Sequence, residues 1–113
     1  MKKVWFFFSY GGDPVWYQDE MMDTRDNGLP PGVRNDKELV ERMNELDKEY
    51  RNLFINNSYE FTYMGFKDED SWRKFINKVN VFIKLLKNRV EPEYEVHLEQ
   101  WTRNQLSKTW LTD

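Results

Sequence analysis

The sequence of 113 residues contains no cysteine and no alanine, and it has a single histidine, His97. Without cysteine the chain has no disulfide, no thiolate metal site and no cysteine nucleophile, which fits a reducing compartment. One histidine excludes metal sites that need two histidine ligands. No apolar stretch approaches the length that crosses a bilayer. We therefore expect a soluble, cytoplasmic protein that has no membrane partner.

Aromatic residues are abundant and replace the missing alanine as core material. They make up 17% of the chain, and each ring buries a large apolar area. A chain of this length has room for one hydrophobic core. We predict a single α+β domain over residues 1–113, with a core of rings and branched aliphatic side chains.

The net charge of -3 conceals a segregation of charge along the chain. Residues 11–70 carry a local balance of -8, residues 71–90 carry six basic and no acidic side chains, and residues 91–101 carry four glutamates and no base. Such segregation bears on partners and on electrostatic steering more than on the fold.

Hydrophobic periodicity predicts the order strand, loop, helix, strand, helix, strand and tail. Residues 3–10 are apolar at both parities, which predicts a central strand buried on both faces. Residues 58–66 and 93–101 alternate, as expected for half-buried edge strands of a small three-stranded sheet. The direction of the last strand does not follow from the pattern. Leu106 and Trp110 suggest a short terminal helix or a tail pinned by its indole.

Two amphipathic helices are predicted to pack on this sheet. The first begins with a capping box formed by Asn35 and Glu38 and continues to about residue 54. The second is capped near Asp70 or Ser71 and has one apolar stripe. The residues of that stripe are Trp72, Phe75, Ile76, Val79, Phe82, Ile83 and Leu86.

The long loop over residues 11–35, inserted between the first strand and the first helix, is the most informative segment. It holds four of the five glycines and three of the four prolines, yet it also carries Trp16 and Tyr17. Long loops in small domains are often binding loops. Aromatic anchors among acids suit a basic partner, although one or both rings would alternatively cap the sheet. The acidic candidates for partner binding are Asp13, Asp19, Glu20, Asp23 and Asp26.

The last predicted strand places Glu93, Glu95, His97 and Glu99 on one face. Alternate strand residues lie about 7 Å apart, so Glu95, His97 and Glu99 are weak candidates for a metal site or for acid and base chemistry. The alternative is a solvated edge face whose charges block strand pairing. The basic helix over residues 71–90 is a candidate for phosphate contacts, but the acidic remainder of the chain opposes nucleic acid.

Taken together, the acidic loop and Glu93, Glu95 and Glu99 form one acidic patch if they open onto the same face. Bacterial toxin immunity proteins share this size, acidity and aromatic richness, an analogy of design and not of sequence. We predict a non-enzymatic, immunity- or antitoxin-like inhibitor that binds a basic partner such as a toxin nuclease through the acidic, aromatic loop over residues 11–35. It would need no cofactor and no catalytic residue, and a homo-oligomer is compatible with it. The alternatives are a small hydrolase or metal-dependent enzyme using Glu95, His97 and Glu99, and third a nucleic-acid-binding regulator using the helix at 71–90.

Overall fold

The computed structural model describes residues 2–8, 10–18 and 25–98. In these ranges the strands are β1 (Lys2–Phe6), β2 (Val15–Gln18), β3 (Arg25–Asn27), β4 (Phe54–Asn56), β5 (Phe61–Tyr63) and β6 (Tyr94–Leu98). The α-helices are α1 (Lys37–Arg51) and α2 (Glu69–Val90), and a 3-10 helix, Pro31–Val33, precedes α1. The candidates that lie outside the described residues are Asp19, Glu20, Asp23, Glu99, Leu106 and Trp110.

The main sheet has four strands in the order β3-β2-β1-β6. Strand β1 pairs antiparallel with β2 and parallel with β6. The predicted α+β class is confirmed, and the first strand lies inside the sheet as expected. The prediction that this strand is buried on both faces is wrong, because Val4 and Phe6 are buried on one face whereas Lys3 on the other is exposed. The prediction of three strands is wrong, because the loop over residues 11–35 contributes β2 and β3 to the main sheet.

The hairpin of β2 and β3 forms because one asparagine closes its root. The side-chain amide of Asn27 donates to the carbonyls of Asp13 and Val15 at 2.8 and 3.1 Å, and its Oδ1 accepts from Asp13 N–H at 2.9 Å. Gly28, at φ 120°, donates its N–H to Val15 at 2.7 Å. That φ favours glycine. An asparagine-glycine pair therefore converts a glycine-rich loop into sheet.

The predicted strand over residues 58–66 is also placed differently. Only Phe61–Tyr63 form a strand, and β5 pairs with β4 in a separate two-stranded sheet. The cause is local, because Asn57 accepts the N–H groups of Tyr59 and Glu60 on its side-chain oxygen at 2.8 and 3.0 Å. Such a turn reverses the direction of the chain within a few residues, and a short loop closes at low entropic cost.

Both helices begin at an aspartate that the sequence pattern did not single out. Asp36, not Asn35, caps α1 by accepting the N–H of Leu39 at 3.2 Å. Asp68, not Asp70 or Ser71, caps α2 by accepting the N–H of Ser71 at 2.8 Å. Aspartate and asparagine are nearly equal caps, so neighbouring contacts decide the choice. Helix α1 ends at Arg51, before β4, and not near residue 54.

The core lies between the two helices and one face of the main sheet. Val4, Phe6 and Val15 are fully buried, and the helices cover them. The predicted stripe of α2 is buried along its whole length. Tyr94 is buried and Val96 is half-buried against the same core, so the alternation predicted for residues 93–101 is confirmed over Tyr94–Leu98.

We expect Phe82→Ala to lower the free energy of unfolding by about 3 to 5 kcal/mol, because it leaves a cavity at a fully buried position. Val81→Ala is the matched control, since Val81 is 47% exposed on the same helix; its effect should stay within about 0.5 kcal/mol. Urea unfolding measures both variants. An unchanged midpoint for Phe82→Ala would contradict this packing.

Candidate functional site

The most exposed apolar surface of the described residues is the aromatic hairpin, which we define as residues 54–64. Tyr59 is 95% exposed, Phe61 51%, Tyr63 49% and Met64 60%. Isolated exposed apolar residues are ordinary, but contiguous patches of them mark interaction sites. The hairpin is therefore the leading candidate for a binding surface.

A column of rings joins the aromatic hairpin to the core. Phe8 contacts buried Phe75 at 5.3 Å between ring centroids and stacks on Tyr50 at 4.6 Å. Tyr50 meets Phe54 edge to face at 5.2 Å, and Phe54 stacks on Phe61 at 5.1 Å. Aromatic pairs at such distances add about 0.5 to 1.5 kcal/mol beyond area burial. The exposed rings are thus held by a continuous path from the interior.

Tyr10 ties the chain after β1 to the same surface. Its ring lies 5.1 Å from that of Phe54 and 4.8 Å from that of Phe61. Its hydroxyl accepts a hydrogen bond from Nδ2 of Asn56 at 2.9 Å. Tyr63 contacts Phe54 from the next strand at 5.1 Å. Four rings therefore meet at one place on the surface.

Hydrogen bonds fix the backbone at both ends of the aromatic hairpin. At its root, the N–H groups of Met64 and Gly65 donate to the carbonyl of Leu53 at 2.6 and 3.2 Å. At its tip, Asn57 N–H donates to Glu60 O at 3.0 Å. These bonds define the turn that presents Tyr59.

Burial changes the acidity of two phenols in the ring column. Tyr63 is half exposed, and partial burial raises its pKa above the usual value. The pKa of Tyr50 is also raised, mainly by burial and to a smaller degree by Tyr63. Loss of the phenolic proton is disfavoured where the charged form is poorly solvated.

One predicted loop acid, Asp13, lies near α1 at the base of this region. Burial raises the pKa of Asp47 above its usual value, Arg51 opposes the rise across a 2.9 Å ion pair, and repulsion by Asp13 adds to it. Asp47 precedes Tyr50 by one helical turn. Asp13 of the loop therefore acts electrostatically on the helix that carries Tyr50.

The two rings of the predicted binding loop face opposite ways. Tyr17 packs against the core, and its hydroxyl accepts a hydrogen bond from Nη2 of Arg34 at 2.9 Å. Trp16, its neighbour in β2, lies half-buried on the other face and stacks on Phe7 at 5.4 Å. One ring inside and one on the other face is the mixed outcome that the sequence allowed.

The described acids of the predicted patch are spread over the main sheet. Asp26 pairs with Tyr17 at the β3 edge, whereas Glu95 pairs with Lys3 at the β6 edge. The register puts these two acids on opposite faces of the sheet. The two edges are three strand spacings apart, roughly 14 Å in total. Glu93 lies 3.7 Å from the ammonium of Lys2. The sheet does not bring Asp26 and Glu95 together.

The metal or catalytic candidates on β6 form a pair and not a cluster. Nε2 of His97 lies beside Oε1 of Glu95 without hydrogen-bond geometry. Within the described ranges, no group of three acidic or histidine side chains is placed to hold a metal ion. Glu99, the third candidate, lies outside those ranges. A cation at this edge would therefore need further ligands.

The basic face of α2 meets the acidic face of α1. Lys78 binds Glu45 at 2.8 Å and Glu49 at 3.0 Å, and these hydrogen bonds, that from Glu45 first, raise the pKa of Lys78. Arg89 binds Asp36, which raises the pKa of Arg89 and lowers that of Asp36. Two of the six cations of residues 71–90 are thus matched by acids of α1 or its cap. Arg73 and Lys74 pair with Glu69 and Asp70 within α2, which leaves fewer cations for phosphate groups.

Comparisons with protein family models, with curated proteins and with solved structures found no match. No helix in the part of the chain that the structure describes is both long and apolar enough to span a bilayer. Function is therefore inferred from the surface geometry of this chain.

The sequence predicts a half-buried edge strand over residues 58–66, in which Tyr59, Phe61 and Tyr63 alternate with the other side chains, and this prediction missed the aromatic hairpin. Strand alternation indicates which rings share a side, but it does not show whether that side is covered. The available signal was the turn sequence Asn57-Ser58 just before the alternation, which predicts a hairpin more than a crossover strand.

We expect the free energy of unfolding to fall as the pH rises past about 10, the usual pKa of tyrosine. The folded pKa values of Tyr50 and Tyr63 are raised, so above that pH the unfolded chain binds fewer phenolic protons than the folded chain. The double variant Tyr50→Phe/Tyr63→Phe should lose less stability than wild type between about pH 9 and 11. Urea unfolding across that range measures the difference, with Tyr59→Phe as the control. Equal losses in wild type and the double variant would refute this assignment.

Proposed function

We propose that this chain is a non-catalytic protein-binding module whose partner docks on the aromatic hairpin. The observation that supports this proposal is the exposure of Tyr59, Phe61 and Tyr63 on a turn anchored to the core. Tyrosine is enriched among residues that dominate binding energy at protein interfaces. Such a surface suits a protein partner better than a small substrate, which requires an enclosing pocket.

The anchoring of the hairpin favours affinity for a physical reason. Binding costs free energy when flexible side chains and loops become ordered. Here Phe54 and Tyr10 already contact the ring of Phe61, and Asn57 already fixes the turn. Little further ordering is needed when a partner covers these rings.

An immunity- or antitoxin-like inhibitor of a basic partner, such as a toxin nuclease, is the form of this function that we propose. The acidic balance of the sequence supports it, since complementary charge accelerates association. In this form the rings of the loop are not the main contacts, because Tyr17 packs inward and Trp16 stacks on Phe7. The aromatic hairpin then supplies affinity, and the acids of the loop steer the partner. The steering acids are Asp13, Asp19, Glu20, Asp23 and Asp26, and Glu93, Glu95 and Glu99 add to the negative charge that attracts a basic partner.

The contact between Glu95 and His97 is the observation that favours the alternative, a metal-dependent enzyme. Under the binding proposal, we expect calorimetric titration with zinc or manganese to show no tight stoichiometric site. The triple variant Glu95→Gln/His97→Gln/Glu99→Gln should match wild type in stability and in the rate at which the partner dissociates, because charge acts mainly on association. Tight one-to-one metal binding that the triple variant loses would support the enzyme instead.

The partner can be identified from the hairpin itself. A photo-crosslinking amino acid at position 59 in cells that produce this chain natively should join the protein to its partner. The same group at position 81, an exposed site on α2, is the matched control and should not capture that protein. Mass spectrometry identifies the joined chain.

With that partner in hand, we expect Tyr59→Ala or Phe61→Ala to weaken binding by about 2 kcal/mol at the dominant ring, mainly through faster dissociation. Val81→Ala should bind like wild type. Replacing Asp13, Asp19, Glu20 and Asp23 with amides should instead slow association and flatten its salt dependence. Surface plasmon resonance at two salt concentrations separates the two effects. Wild-type affinity in both ring variants would exclude the hairpin as the contact.

A further inference from the structure

The hydrogen bonds of the aromatic hairpin show which backbone groups of β5 point away from β4. Residues that face each other in an antiparallel pair alternate between bonded and non-bonded pairs. Asn57 donates to Glu60, and Met64 donates to Leu53, so both of these pairs are bonded. The pair of Thr62 with Ile55 lies midway between these two pairs, so the alternation makes it a hydrogen-bonded pair as well.

Phe61 and Tyr63 therefore belong to the non-bonded pairs, and their N–H and carbonyl groups point to the outer edge of β5. Within residues 25–98, no partner accepts or donates to these four groups. All three residues of β5 are exposed. An exposed strand edge of this kind is a template for another strand.

The edges of the main sheet differ from this edge in their side chains. Strand β3 carries Arg25 and Asp26, and β6 carries Glu95. Charged residues on edge strands discourage pairing with other chains. Strand β5 consists of Phe61, Thr62 and Tyr63, without charge or proline. The hairpin edge thus lacks a protection that both edges of the main sheet possess.

We propose that an extended segment of the partner protein adds to β5 as a third strand, bound by the N–H and carbonyl groups of Phe61 and Tyr63. This inference rests on the proposed function and specifies how the partner is held. Main-chain bonds supply affinity in strand addition, and alternate side chains supply specificity. Because Glu60 is the one charge in residues 54–66, we expect the segment to carry apolar or aromatic residues at alternate positions.

A second copy of this chain is a poorer occupant of the same edge. Two β5 strands would share three residues each, whereas specific complexes usually bury at least about 1,200 Å². Each copy also carries a net charge of -3. A longer segment of another protein can cover Tyr59 and Met64 in addition to the edge.

Hydrogen exchange tests the assigned directions in the free protein. We expect the amide of Thr62 to exchange slowly, because it faces β4, and those of Phe61 and Tyr63 to exchange fast. Slow exchange at Phe61 and Tyr63 would mean that the edge is already occupied and would overturn the proposal.

A pair of substitutions at one position tests strand addition itself. Tyr63→Ala and Tyr63→Pro both remove the ring, but only proline also removes the outward N–H, and proline is tolerated on strand edges at such positions. The probes are 12-residue peptides selected by phage display on the wild-type protein. We expect them to bind Tyr63→Pro about tenfold more weakly than Tyr63→Ala. Circular dichroism should show equal thermal midpoints for the two variants.

Each outcome separates this inference from the proposed function. Peptides that bind both Tyr63 variants equally but lose affinity with Phe61→Ala would overturn strand addition and leave the hairpin as a binding surface. Failure to select any linear peptide would also overturn strand addition, while capture of a folded partner at position 59 would still support the proposed function. A wild-type dimer in sedimentation that Tyr63→Pro abolishes would make a second copy the occupant and overturn the choice of a different protein.

Discussion

The proposed binding surface depends on the contacts that the ring of Tyr50 makes with two other rings. Tyr50 stacks on Phe8, two residues after β1, and meets Phe54 of the hairpin edge to face. A two-stranded hairpin alone is only marginally stable in water. Contact with the core through Phe8 supplies the stability that β4 and β5 lack as an isolated pair. It also lets Phe61 remain half exposed in a fixed position. The same rings thus contribute to stability at one end of the column and are available for binding at the other.

Charge in this protein acts largely within the fold. The acidic stretch before α2 and the basic helix itself meet where Lys78 bridges Glu45 and Glu49 and where Arg89 binds Asp36. Exposed ion pairs contribute little stability individually. Their arrangement nevertheless gives the two helices complementary faces, so part of the segregated charge is used within the fold. Under the proposed function, the acids of the loop steer a basic partner.

Hydrophobic periodicity correctly predicted the features of the fold that depend on one helix or one strand alone. The buried stripe of α2, including Phe82, and the inward face of β6 follow from side-chain spacing alone. Helix starts were missed by one to three residues, because Asp36 and Asp68 compete with chemically similar neighbours. The strands within the loop depend on hydrogen bonds between Asn27 and distant carbonyls, which no local pattern contains. The aromatic hairpin was not predicted for the same reason, because its exposure depends on which surfaces the other helices and strands leave uncovered.

Backbone relaxation of ¹⁵N nuclei tests most directly whether the ring column holds the binding surface rigid. We expect order parameters for the amides of residues 57–63 close to those of α2, about 0.85 for rigid backbone. In Tyr50→Leu the hairpin values should fall below about 0.6, the range of flexible backbone, while those of α2 stay unchanged. Hairpin values already below about 0.6 in wild type, or hairpin values that Tyr50→Leu leaves unaltered, would contradict a surface preorganised through Tyr50.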